Sequence, residues 1–275
     1  GTLGDITSAD GGLTYTGTIT RTPDMNRLNN KVNLNYNGIT GEASYDVLSD
    51  TTLLTNISQI GEDIAGVSLA VSMSDNGEII AVGARGAVHS GLTGFVGIAT
   101  VYKNINGTWT QLGDSFLATQ DEQSLGHFIS LSGDGTRIAI SSDAFNNNSL
   151  KGSVTVYDWN GTNWVQVGSK MEGNSNSDAF GWKTEMSKDG NTLIIGAIFG
   201  SYVKVYSYNV GTSDWVQKGT TFTGPYEFGG IASISRNGNI ILIGKKNEVK
   251  VYEWNGTVWV QKGNTFTGNY HNLSG

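Results

Sequence analysis

The stretch VTVYDWNGTNWVQVG, residues 154–168, decides the fold, because the chain writes it several times. It returns as ATVYKNINGTWTQLG (99–113), VKVYSYNVGTSDWVQKG (203–219) and VKVYEWNGTVWVQKG (249–263), and a worn ending, NISQIG, stands at 56–61. With Gln as the marker, Gln59, Gln111, Gln166, Gln217 and Gln261 follow at spacings of 52, 55, 51 and 44 residues. Self-similarity at about 40–50 residues marks propellers, solenoids and arrays, whose units bury their faces only by stacking on neighbours.

The third repeat shows the unit compactly. FGWKTEMS (180–187) alternates as a strand, Lys188-Asp189-Gly190-Asn191 makes a turn, and NTLIIGA (191–197) is an apolar run suited to a buried strand. VKVYSY (203–208) alternates again, and a Gly-containing turn leads to DWVQKG. The sister turns Asn106-Gly107, Asn160-Gly161 and Asn255-Gly256 read as type I′ hairpins, with both central residues at positive φ. The first turn recurs as Asp75-Asn76-Gly77, Gly133-Asp134-Gly135, Lys188-Asp189-Gly190 and Arg236-Asn237-Gly238. Four-stranded meanders stacked face to face predict an all-β fold, a β-propeller of four-stranded antiparallel blades. Ile79, Ile80, Val82, Ile138, Ile140, Leu193, Ile195, Ile241 and Ile243, on the second strands, are the expected core.

Residues 1–52 do not follow the template. Leu13, Tyr15 and Ile19 alternate with Thr, and Val32, Leu34 and Tyr36 alternate with Asn, so this segment is expected to be β-rich: an anchor, a divergent blade or closing strands. The propeller repeats are assigned to 53–275. The chain opens on Gly1 without Met, which leaves room for an upstream segment, and ends 12 residues after Gly263. Either the amino-terminal strands complete the ring or further repeats do.

Composition narrows the classes. A formal charge of −7 repels phosphate and argues against a nucleic-acid partner. No apolar run approaches the roughly 18–20 residues that span a bilayer, so membrane insertion is not expected. With no cysteine there is no disulfide, thiol nucleophile or Cys-ligated zinc. Few charged residues and abundant Thr and Asn suggest an extracellular, cell-surface or virion-surface location.

A Phe-Gly opening and a Gly-Ala close, best seen as Phe180-Gly181 with Gly196-Ala197, resemble the FG-GAP repeat of integrin-α-type propellers. Gly83-Ala84 keeps the close, Phe228-Gly229 the opening, and Leu125-Gly126 with Ser141-Ser142 is a weaker version. The whole pattern is similar to FG-GAP-like repeats in surface proteins of marine microbes and large algal viruses. The resemblance covers about residues 57–270 and implies a propeller without naming a ligand. Integrin-type repeats often carry a calcium loop where this chain has SDNG, SGDG, SKDG and SRNG, too poor in carboxylates for the six to eight oxygens calcium takes. No metal or other cofactor is expected.

Catalytic signatures are absent from the sequence: no G-x-S-x-G, no G-x-x-x-x-G-K, no H-E-x-x-H. His127, at the place of Trp182 in the next repeat, reads as a packing residue. The Trp residues beside the Asn-Gly turns read as outer-strand packing. What departs from the repeat is the set of loops after the second strands and between blades, and variable loops on a rigid scaffold commonly carry binding. Arg85, His89, Asp121, Glu122, Asn146, Asn147, Lys151 and Tyr226 are the candidate binding residues on that face. The expected function is a non-enzymatic surface propeller attaching to a protein or glycan partner, with neighbouring domains or subunits engaged through the amino-terminal segment. The rivals are a structural capsid or appendage component and a glycan-active enzyme.

Overall fold

The computed structural model describes residues 70–120, 123–144, 149–245 and 247–268, the strand backbones 6–7, 14–15, 30–36 and 39–45, and the single positions 59, 63 and 64. Contacts divide the chain into two units, Gly1–Gln59 and Ile60–Gly275. The first holds two antiparallel pairs: β1 (Ile6–Thr7) with β2 (Thr14–Tyr15), and β3 (Asn30–Tyr36) with β4 (Ile39–Tyr45).

The second unit is a series of four antiparallel blades. Blade 1 comprises β5 (Ala70–Met73), β6 (Ile79–Ala84), β7 (Ile98–Ile105), β8 (Thr108–Gln111) and β9 (Phe116–Leu117). Blade 2 comprises β10 (Leu125–Leu131), β11 (Arg137–Ser142), β12 (Ser153–Trp159), β13 (Trp164–Gln166) and β14 (Met171–Glu172). Blade 3 comprises β15 (Phe180–Met186), β16 (Thr192–Ala197), β17 (Tyr202–Asn209), β18 (Asp214–Gln217) and β19 (Phe222–Thr223). Blade 4 comprises β20 (Ile231–Ile234), β21 (Ile240–Lys245), β22 (Glu248–Trp254), β23 (Trp259–Gln261) and β24 (Phe266–Thr267). Among the described residues every regular element is a strand, and no helix is long and apolar enough to cross a membrane.

The fourth strand of each blade is broken in two, which the sequence reading missed. β13 and β14 both pair with the outer edge of β12, and the other blades repeat this. The Q-x-G ending makes the break. The Gln side-chain amide donates to the Gly carbonyl two residues on, at 2.8 Å for Gln111 and 2.9 Å for Gln166, and Gly113 and Gly168 sit at φ +74° and +72°. Met171-Glu172, in the stretch read from the sequence as a loop between blades, therefore finishes the strand instead.

The hairpin turns also differ from expectation. Only Asn106 and Gly107 both take positive φ, +52° and +88°. The turns at Asn160 and Asn255 carry one more residue before the Trp, so only the Gly is left-handed. The Asn side chain instead accepts from the two following amides, Thr162 and Asn163 or Thr257 and Val258.

Blades stack through three apolar interfaces built from the same positions. Ala99 and Val101 of blade 1 meet Ile129, Leu131, Ile138 and Ile140 of blade 2. Val154 and Val156 meet Met186, Leu193 and Ile195, and Val203 and Val205 meet Ile234, Ile241 and Ile243. The second-strand residues expected in the core are buried in blades 2, 3 and 4, whereas Ile79, Ile80 and Val82 of blade 1 are only half-buried: Ile79 packs toward blade 2, and Ile80 and Val82 lie on the same face as the exposed Val71 and Met73. A tryptophan locks each interface: the Trp164, Trp215 and Trp259 indoles donate to the carbonyls of Leu112, Val167 and Lys218 on the blade before.

The Phe-Gly and Gly-Ala pairs form part of the same joint. A Cβ on Gly83 would lie 2.2 Å from the Gly126 carbonyl oxygen, and one on Gly196 would lie 1.9 Å from that of Gly229. Thus the close of one blade receives the bulged opening of the next, with Gly126, Gly181 and Gly229 at φ +80°, +99° and +97°.

The first-to-second turns join in a chain: Asp75 N–H donates to Gly133 C=O, Gly133 to Lys188, and Lys188 to Arg236. The Asp75 carboxylate then pairs with Arg236 at 2.7 Å and Lys188 at 3.4 Å. Within each turn the Asp or Asn accepts from the Ser hydroxyl two residues before it and the amide two residues after it, as Asp134 does from Ser132 and Thr136. These oxygens are thus used by the turn itself.

Candidate functional site

The first strands adjoin one another along the inside of the series, tied by bonds such as Leu131 N–H to Ser72 Oγ and Met186 N–H to Ser130 Oγ. They enclose a groove of about 420 Å3 lined by Ser72, Phe128, Ser130, Lys183 and Glu185. At the end of the first strands opposite the turns, two repeat positions depart from uniformity. The residue after the opening Gly is His127 in blade 2, Trp182 in blade 3 and Gly230 in blade 4. The residue after the second strand is Arg85 in blade 1, Asp143 in blade 2 and Ile198 in blade 3.

These positions converge. His127 Nδ1 meets Asp143 Oδ2, and Asp143 is fully buried while the His127 side chain is 12% exposed. Its Nε2 lies 3.3 Å from Arg85 Nη1. A buried carboxylate fixes the proton on Nδ1, leaving the Nε2 lone pair to accept from the guanidinium. The Trp182 ring stands edge-on to the imidazole at 4.9 Å, Phe128 lies at 5.0 Å, and Phe95 sits beneath the Arg85 guanidinium at 5.5 Å. The bulge at Gly126 lifts His127 out of the ladder, and the Leu125–Ser142 register brings the end of β11, and so Asp143, beside it. Next along the chain, Ser124 is buried with no protein partner for its hydroxyl. Chemically the cluster holds a proton acceptor, a buried carboxylate that would stabilise the imidazolium, and a cation suited to an oxyanion.

The sequence reading placed Arg85 among the candidates but took His127 for a packing residue and passed over Asp143. A signal was available, because these were the positions where the repeat failed to repeat. The other candidates among the described residues stand elsewhere. His89 holds its own loop through Nε2 to the Gly97 carbonyl at 3.1 Å. Lys151 lines a separate polar cleft of about 230 Å3 with Gln120, Gln123, Ser142, Lys170 and Glu172. In that cleft the Lys170 ammonium, 2.7 Å away, holds the Glu172 carboxyl below its usual range. Tyr226 is exposed on the connection between blades 3 and 4. Asp121, Glu122, Asn146 and Asn147 lie outside the described residues. Among the described residues no group of three or more His, Asp or Glu side chains is placed to hold a metal ion.

No known family profile matches the chain, and no curated protein matches it. Solved structures do. The periplasmic gluconolactonase of Pseudomonas aeruginosa matches at TM-score 0.53 and 18% identity, over 77% of this chain and 60% of that one. A candidate 6-phosphogluconolactonase from Bacteroides uniformis matches at TM-score 0.53 and 12% identity, over 73% and 55%. A protein of unknown function from Desulfotomaculum acetoxidans matches at TM-score 0.52 and 13% identity, over 75% and 58%. The chain thus spans little more than half the length of these structures. The attachment reading must be corrected: structures of this fold matched here bear the names of lactone-hydrolysing enzymes, so a propeller with variable loops is no argument for a non-enzymatic role. At these identities the likeness establishes the fold, and the fold is that of a β-propeller.

Proposed function

We propose that the propeller unit hydrolyses small cyclic esters, with His127 as general base, Asp143 as the carboxylate that holds its tautomer, and Arg85 as the group that polarises the carbonyl. The observation that carries this reading is the Asp143–His127–Arg85 chain, with Trp182 against the imidazole and Phe95 beneath the guanidinium. Arg85 turns from Nε2 to the substrate carbonyl oxygen, which frees the imidazole for water. Water adds to the carbonyl carbon as Nε2 takes its proton. The ring C–O bond then breaks, and the departing alkoxide recovers that proton from His127, giving the hydroxy acid. General acid–base groups of this kind contribute about 10²–10⁴-fold. Sugar lactones are the substrate class to try first, supported by the names of the matched enzymes and by aromatic walls suited to a ring face.

The Phe-Gly and Gly-Ala joint supports grouping these repeats with FG-GAP-like propellers, and the cysteine-free, Thr- and Asn-rich composition supports an extracytoplasmic location. The test is proton release from gluconolactone, and from slower-opening γ-lactones, above the uncatalysed rate. His127→Gln should lose at least about 100-fold while melting like the parent. Equal rates in the parent and the folded variant would dismiss the proposal.

A further inference from the structure

One row of side chains differs sharply between blades 2 and 3. Across blade 3 it reads Phe180, Ala197, Tyr202 and Thr223, and across blade 2 Leu125, Ser142, Ser153 and Glu172, paired in the same register. Cross-strand partners share a face of the sheet, so Tyr202 and Ser153 project from equivalent places. In blade 3 the tyrosine fills the space between the sheet and the connection entering the blade. It is 4% exposed, and its hydroxyl accepts from the Asn174 amide at 2.9 Å and donates to Asp178 at 2.8 Å. Gly200 makes room for its ring, since a Cβ there would lie 2.5 Å from it.

Blade 2 has the same surroundings without the tyrosine. Gln123 stands where blade 3 has Asp178, and it accepts from the Thr119 amide at 2.9 Å, the bond that the Tyr202 hydroxyl makes with Asn174. The cleft of about 230 Å3 opens over Ser153. At roughly 30 Å3 per water that is room for about seven waters, or for one sugar ring with its substituents. Blade 4 has Glu248 in the tyrosine's place and a smaller cavity of about 120 Å3, but there Lys250 holds the carboxylate at 2.8 Å. The blade 2 cleft is less committed. Ser142 and Ser153 are 7% and 9% exposed, and neither hydroxyl donates to a described residue; Ser142 Oγ accepts from Gln123 Nε2 at 3.3 Å. A buried hydroxyl without a partner is destabilising until a solute meets it. Lys151, where blade 3 has Gly200, adds an ammonium with no ion pair among the described residues, whereas Lys170 is held by Glu172 at 2.7 Å.

We propose that this cleft binds a free sugar acid of one-ring size, with its hydroxyls on Gln123, Ser142 and Ser153 and its carboxylate on Lys151. A floor of hydroxyls and an amide suits a ligand of many hydroxyls, and one unpaired cation at the rim suits a single negative charge. The site is separate from the His127 cluster and stands whether or not that cluster opens lactones.

Amide shifts of the isotope-labelled 275-residue chain, titrated with glucuronate, glucose and acetate to about 50 mM, test this. Glucuronate should saturate with a Kd of about 0.1–10 mM and move the amides of Gln123, Gly152 and Ser153. Glucose should bind about 2- to 5-fold more weakly, the range an exposed ion pair supplies, and acetate should not saturate. Lys151→Gly with Ser153→Tyr carries the blade 3 pair into blade 2, fills the cleft and should abolish the shifts in a protein that still melts cooperatively. Should that variant fail to fold, Lys151→Gln, at an exposed position, replaces it and should lower glucuronate to the affinity of glucose. His127→Gln should bind glucuronate as the parent does. A parent without saturable shifts overturns the proposal, as does binding retained in the folded filled variant or a preference for glucuronate retained in Lys151→Gln. Acetate that saturates the same amides as tightly would mean an anion site only, and loss in His127→Gln would put the sugar acid at the other cluster; either result refutes it.

Discussion

Glycine in this chain does two different jobs, and a single added methyl separates them. Gly196 is needed for space, since a Cβ would stand 1.9 Å from the Gly229 carbonyl oxygen on the next blade. Gly256 is needed only for its left-handed backbone, φ +102°, with nothing within 4 Å of where a Cβ would be. Gly196→Ala should therefore cost about 2–4 kcal/mol through overpacking at the joint, against about 1–2 kcal/mol for Gly256→Ala. Urea midpoints would check this, and equal losses would contradict the joint. The turn carboxylates make a second residue-scale case. Burial opposes ionisation of Asp134, but hydrogen bonds from Ser132 and Thr136 outweigh it and hold the carboxyl below its usual value. A depressed folded value stabilises the fold above the unfolded carboxylate range, near pH 4, and that stability is lost as pH falls through the folded value. Asn76 and Asn237 serve the equivalent turns as neutral amides. Asp134→Asn should therefore keep the turn at pH 7 and make stability less steep below about pH 4, read from melting temperature against pH.

At the scale of the element, the second strand of blade 3 is the most enclosed, β16 being buried at all six positions, while the same strand of blade 1 has four half-buried positions. Ile195→Ala should cost about 2–5 kcal/mol, and Ile80→Ala, on the open face of blade 1, less than half as much. Chemical denaturation would show the difference, and equal costs would mean that blade 1 is covered. The same contrast explains what could be read beforehand. The strand order, the positions of the turns and the buried second strands of blades 2 to 4 were legible because they repeat, and a repeat averages local propensity over four copies; the type of the Asn160 and Asn255 turns was not, because their extra residue changes the backbone. The break in the fourth strand was not, because Q-x-G looks like an ordinary strand ending until the Gln side chain is seen to bond to the Gly carbonyl. His127 and Asp143 could be paired in principle through the Leu125–Ser142 register. Arg85 joins them across a blade joint, and blade-to-blade geometry is not written in either strand alone.

For the whole unit, stability follows from serial stacking. The apolar interfaces join neighbouring blades only, so the energy is close to a sum of blade and interface terms, and among the described blades the first and fourth have one such interface where the second and third have two. The burial pattern follows this: β17 in blade 3 is buried at Tyr202, Val203 and Val205, whereas its counterpart β22 in blade 4 has no fully buried residue. Amide exchange should therefore be slowest in β11 and β16 and should quicken toward β6 on one side and β21 on the other. The chain of turn bonds from Asp75 through Gly133 and Lys188 to Arg236 works against this gradient, since it ties all four blades at one end. Its backbone links join neighbours only, and the contact that spans from blade 4 to blade 1, Arg236 with Asp75, has Arg236 75% exposed. Exposed pairs of this kind are worth about 0–1 kcal/mol, too little to make the ends as stable as the middle. Asp75→Asn should thus leave the exchange gradient in place. Uniform protection across all four blades would show instead that they unfold as one closed cooperative body, and would refute the serial account.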